Sequence, residues 1–197
     1  MPSPATKLEA INTMLSAIGE APVTKLNSGL VEADIAETIL ESVSREVQGQ
    51  GFNFNRELDV TFNPDSNNNI TLPTNILRAD TTNKTNNKDL VQRGSKMYDR
   101  KKNTYTITSA VYLDTVVMLE FVDLPEVAKR YITLRASRMF LDRVVGSATL
   151  HGFTESDENR ALLELRDMEA EAQDFNIFNN FDTYNIIDRI GSTRTIE

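Results

Sequence analysis

Apolar residues recur through the first fifty positions at the period of a helix. Leu8, Ile11, Leu15 and Ile18 stand three and four apart and form a single stripe. Thr6 and Glu9 precede and open that stripe at capping-box spacing, where a hydroxyl and a carboxylate each satisfy an orphan backbone donor. Gly19 suits the left-handed residue that ends a helix, and Pro22 prevents the helix resuming. A second helix is predicted from about Glu32 to Gln50. It places Ala36, Ile39, Leu40, Val43 and Val47 on one face, and Gly49 and Gly51 close it.

The period then falls from 3.6 to 2. Phe52, Phe54, Leu58, Val60 and Phe62 alternate with polar residues, which predicts a strand with one buried face. Turn residues follow at Asn63-Pro64-Asp65 and Asn67-Asn68-Asn69. Short strands are predicted at Ile70–Leu72, Ile76–Thr82, Leu90–Gln92, Lys96–Tyr98 and Tyr105–Thr108, with turns at 83–88 and 100–103. A last strand, Thr115–Val122, carries apolar residues on both sides and is expected to be central in its sheet.

Leu124-Pro125-Glu126 returns the chain to helix, with Pro125 suited to the first helical position. Val127, Tyr131, Ile132, Leu134, Met139, Phe140 and Val144 cover a wide arc of this third helix, so it is expected to be largely buried before it stops at Gly146. A fourth helix is predicted from Thr154–Ser156, with Leu162, Leu165, Met168, Ala172 and Phe175 as its stripe. The expected fold class is therefore α+β. Both chain ends form a four-helix bundle (1–51 and 124–175), a β-rich, sandwich- or barrel-like domain (52–123) is inserted between them, and a tail (176–197) extends beyond. The tail holds many apolar residues without a period, which predicts a segment awaiting a partner.

Composition narrows the chemistry. The 197 residues include no cysteine and one histidine, which excludes disulfides and thiolate metal sites and leaves little histidine chemistry. A net charge of −8 argues against a molecule dominated by nucleic-acid binding but leaves room for a basic patch. No apolar run is long enough for a membrane-spanning helix, and Met1-Pro2-Ser3-Pro4 lacks the pattern of a secretory signal, while the lack of cysteine fits synthesis in a reducing cytoplasm. No cofactor is implied.

Three blocks resemble the tail tubular protein A family, the head–tail adaptors or gatekeepers of short-tailed bacteriophages. They are Ile18-Gly19-Glu20-Ala21-Pro22-Val23, then Gly51-Phe52-Asn53-Phe54-Asn55, then Leu124-Pro125-Glu126 with Arg130-Tyr131-Ile132, Ala136-Ser137-Arg138, Phe140, Arg143 and Gly146. Their order and spacing span nearly the whole chain, and the tail matches least. The resemblance implies a structural virion protein at the head–tail junction, in a ring of twelve copies. That ring would bind the portal, the nozzle (tail tubular protein B) and tail fibres, around a channel for genomic DNA. Such a ring uses a heterologous interface.

On that resemblance, Arg130, Arg135, Arg138 and Arg143 are candidates to pair with carboxylates of a neighbour or the portal. Pairing within the chain, with the acidic fourth helix, is the alternative. Phe178, Phe181, Tyr184 and Ile187 are candidate interface residues of the tail. The basic span from Arg78 to Lys102 makes Lys84, Lys88, Lys101 and Lys102 candidates to face the channel or DNA, against the plainer role of lysines that protect strand edges.

Two other functions compete with this reading. A tail-associated polysaccharide or peptidoglycan hydrolase would need two carboxyls in unequal environments. Glu164, Asp167 and Glu171 have workable spacing but fall on a polar helix face. His151 is expected in a connecting loop without a catalytic partner. A DNA-binding connector of another phage type would rest on the basic span alone.

Overall fold

The computed structural model describes residues 4–82, 84–85, 88–146 and 148–172. Helices and antiparallel sheets follow one another as two helices, five strands and two helices, an α+β arrangement. The helix α1 (Lys7–Ala17) starts where its sequence says it should. Thr6 Oγ1 accepts from Glu9 N at 3.2 Å, and the Glu9 carboxylate accepts from Thr6 N at 3.3 Å. The helix α2 (Val31–Gln48) follows, and its predicted stripe from Ala36 to Val47 is buried throughout.

The helix α3 (Glu126–Val144) begins one residue after Pro125, which caps it in an extended conformation instead of occupying the first helical position. Among its residues only Glu126, Arg143 and Val144 are exposed, because α1, α2 and α4 all pack against it. The helix α4 (Ala148–Ala172) starts earlier than predicted, so His151 lies in helical backbone and not in a loop. Three residues, 145–147, separate α3 from α4, a connection shorter than a helix starting at Thr154–Ser156 would leave. Ile11, Met14 and Leu15 of α1, the stripe of α2, Tyr131, Ile132 and Phe140 of α3, and Ala161 and Leu165 of α4 share one apolar core.

Five strands form the middle of the chain: β1 (Arg56–Phe62), β2 (Ile76–Thr81), β3 (Leu90–Arg93), β4 (Lys96–Asp99) and β5 (Val111–Val117). β5 lies between β1 and β2 in an antiparallel sheet, while β3 and β4 form a hairpin across Gly94-Ser95, with Gly94 at a φ of 60°. Ile70, Leu72, Ala79, Leu90, Met97, Ile107, Val111 and Leu113 make a second, smaller core between them. Among the described residues the ladders do not close into a barrel.

Several strand expectations are corrected. Phe52 and Phe54 do not open β1. They stack on each other at 5.4 Å beside a 3-10 turn (Asn53–Asn55) and pack against the helical core, so the alternation there reflects two cores and not one sheet face. Ile70–Leu72 touches β4 through the single bridge Thr71–Lys96, because Pro73 cannot extend a ladder. Tyr105–Thr108 is likewise no strand. Only Thr104 bridges back, to Asp99. The last strand is central as expected, but it runs Val111–Val117 and not Thr115–Val122.

That shift has a definite cause. The Gln48 side chain accepts from Leu119 N at 2.8 Å and donates to Leu119 O at 3.1 Å. Asn55 Nδ2 donates to Val117 O and to Gln48 O, both at 2.9 Å, and its Oδ1 accepts from Phe52 N. Two buried amides thus take over the backbone groups that would have continued the ladder, and they tie the end of α2 to the end of β5.

Candidate assembly surfaces

The arginines of α3 occupy successive turns beside α4, and the structure settles where three of them point. Arg130 Nη1 lies 2.7 Å from Glu164 Oε2. Arg135 bridges Glu46 of α2 at 2.6 Å and Glu158 of α4 at 3.2 Å. Arg138 Nε reaches the other oxygen of Glu158 at 2.5 Å. Glu158 is only 6% exposed, so it would be costly there without both guanidiniums. That hydrogen bond to Glu158, opposed by partial burial, raises the pKa of the Arg138 guanidinium above its ordinary value. Pairing within the chain therefore describes Arg130, Arg135 and Arg138. It also absorbs Glu164, the first of the spaced carboxylates weighed for hydrolysis, whereas Asp167 and Glu171 are exposed.

Arg143 differs. It is exposed, and among the described residues it makes no ion pair. It lines a groove of about 260 Å³ with Val31, Asp34, Ile35, Thr38 and Ile39. Phe178, Phe181, Tyr184 and Ile187 lie outside the described residues.

The basic span divides as well. Lys84 pairs with Asp59 at 2.7 Å, and the ammonium holds the Asp59 carboxyl below the usual carboxylate range. Lys88 Nζ donates to Ser109 Oγ at 2.6 Å. Lys101 and Lys102 are exposed on the turn after β4, where their backbone N–H groups donate to Asp99 Oδ1 at 2.9 and 3.0 Å. Arg93 lies over the ring of Tyr98, 3.6 Å from its centroid. Arg93, Arg100, Lys101 and Lys102 are exposed on the β3–β4 hairpin and its following turn, while Arg78 and Lys84 are exposed elsewhere in the span.

Sequence reasoning missed two features. One is the amide pair Gln48 and Asn55, whose types suggest surface or turn. Only the position of Asn55 in the Gly51-Phe52-Asn53-Phe54-Asn55 block hinted at a role. The other is Asp59, at a φ of 55° in a bulge of β1, whose N–H donates to Asp114 Oδ1 at 3.0 Å.

The same blocks that form the junction and the α3–α4 clamp lie inside a single family match. The profile described as Tail tubular protein covers residues 8–175. The chain belongs to the tail tubular protein family. It is also similar to the tail tubular protein A of Klebsiella phage KP34, at 28% identity over 163 residues, 82% of this chain and 86% of that protein. The family is a structural one, which makes the chain a structural component of a phage tail. No described helix is long and apolar enough to cross a membrane. The match ends at residue 175, so the last residues of the chain lie outside it.

Proposed function

We propose that this tail protein is the ring-forming adaptor between portal and nozzle, and that its ring lines the path of the ejected DNA. The observation that carries the reading is the buried amide junction of Gln48 and Asn55. It joins a helical part (1–51 and 124–175), read as a four-helix bundle, to a β-rich part (52–123) without a loose linker. A subunit built this way transmits load between two partners at its two ends, as an adaptor must.

The two parts also differ in chemistry. The outer face of α4 carries Glu155, Asp157, Asp167 and Glu171, all exposed, while the β3–β4 hairpin and its turn present Arg93, Lys101 and Lys102. Unlike surfaces suit a heterologous ring, in which one patch meets a different one. Twelve copies, the portal, tail tubular protein B, tail fibres and the head–tail junction enter from the family resemblance. Lys101 and Lys102, both exposed on the turn after β4, are the residues proposed to meet DNA phosphates, while Lys84 pairs with Asp59 and Lys88 with Ser109. A hydrolase is disfavoured because Glu164 is held by Arg130.

The test is the molar mass by light scattering over a concentration series, with and without portal protein. A closed species many times the 22.2 kDa chain, seen as rings by electron microscopy, is the expected result. A monomer that also fails to bind portal would overturn the reading.

A further inference from the structure

We infer that the groove around Arg143 receives the C-terminal segment Ile186-Ile187-Asp188-Arg189-Ile190 of a neighbouring copy, which makes the tail the strap between subunits. The inference rests on the ring proposed above and names one of its contacts.

The groove is apolar and unfilled by its own helices. Val31 is 64% exposed and Ile35 39%, and Val144 and Val145, which follow Arg143 in the chain, are 43% and 47% exposed. Water-facing aliphatic residues at the adjoining ends of α2 and α3 form a patch of the kind that marks a contact. Two charges stand in it, Arg143 and Asp34, and among the described residues neither side chain is in an ion pair. An occupant must therefore bring aliphatic side chains together with one acid and one base. Ile186-Ile187-Asp188-Arg189-Ile190 has that composition in five consecutive positions. Asp188 complements Arg143, and Arg189 complements Asp34.

Reach is sufficient. Asn53 N donates to the Glu169 carboxylate at 2.9 and 3.0 Å, so α4 ends near the exit of α2, whereas the groove lies on the first turns of α2. At about 1.5 Å per residue these points are about 14–26 Å apart within one copy. The stretch from Ala172 to Ile187 spans up to about 50 Å when extended. Strap and groove thus start from opposite ends of the helical part, as a head-to-tail contact requires, and each link raises the effective concentration of the next.

The absence of cysteine makes the test direct. Chains carrying Ile35→Cys and size-tagged chains carrying Ile187→Cys are mixed and oxidised. The control pairs Ile187→Cys with Leu163→Cys, at an exposed position on α4. A cross-chain disulfide several-fold above the control is expected. Arg143→Glu should lower it, and Arg143→Glu combined with Asp188→Arg should restore it. Yields equal to the control overturn the inference. So does a doubly substituted chain that closes the disulfide only within itself. Light scattering of the unoxidised mixture separates the two readings. Rings without the cross-link overturn the strap alone, and monomers without it that also fail to bind portal protein overturn the ring as well.

Discussion

Gly51 carries more constraint than its place in a loop suggests. Its φ is 81°, and a Cβ there would lie 2.8 Å from Arg78 Nη2 and 2.9 Å from Val116 Cγ2. Two penalties coincide, since a side chain resists the left-handed conformation and Val116 sits in the wall of β5. Gly51→Ala is expected to lower stability by about 1–3 kcal/mol, read as a lower urea midpoint at unchanged slope. Gly51→Ala combined with Val116→Ala should recover the steric share but not the conformational one. At Gly19 and Gly29, by contrast, a Cβ would meet nothing, so only the backbone term remains there. The glycine was visible in the sequence as a helix stop. The close approach of β5 was not, because Val116 lies 65 positions away.

At the scale of elements, α3 and α4 are joined by charge as well as by apolar packing. Glu158 accepts from Arg135 and Arg138, and Arg135 also reaches Glu46 of α2. One guanidinium, that of Arg135, thus joins three helices. The arginine side chains keep 22–27% of their exposure, so water softens the cost of losing their partner. Glu158→Gln keeps the shape and removes the charge, and a loss of about 1–3 kcal/mol is expected by thermal or urea unfolding. Removing Glu164 from Arg130 should cost much less, about 0–1 kcal/mol, because that pair is more exposed. Finding the two substitutions equal would show that burial of Glu158 does not set the value of the clamp. The helix periods, the acidic character of α4 and the arginines of α3 are all legible in sequence. Which carboxylate meets which arginine is not, since several acids on α4 stand within one turn of each candidate.

For the molecule as a whole, the question is whether its two cores unfold together. The helical core and the smaller β core meet where Gln48 and Asn55 hold the backbone at Phe52, Val117 and Leu119. Asn55 is 2% exposed, so deleting its amide leaves several buried groups unpaired at about 1–3 kcal/mol each. Asn55→Ala is therefore expected to uncouple the cores. Helical ellipticity and tyrosine fluorescence, which Tyr98, Tyr105 and Tyr112 weight toward the β part, should give coincident urea transitions in the natural chain. They should separate in the variant. Coincident curves in both would mean that apolar contact alone couples the cores.

Periodicity and capping chemistry are local properties, and the sequence by itself determined what depends on them. That covers four helices, the Thr6–Glu9 box, the β block between them, and the stripes that became the helical core. Strand limits depended on remote partners, and only the tertiary structure decided them. β5 ends at Val117 because amides from α2 and the following turn claim the next backbone groups, and Phe52 and Phe54 left the sheet for the helical core. The fate of the four arginines was decided the same way. Their type announced a search for carboxylates, but the helix packing placed acids of the same chain beside three of them and left Arg143 facing a groove. A pattern along the chain specifies which face is buried. What that face meets is set by elements distant in sequence, and no period records them.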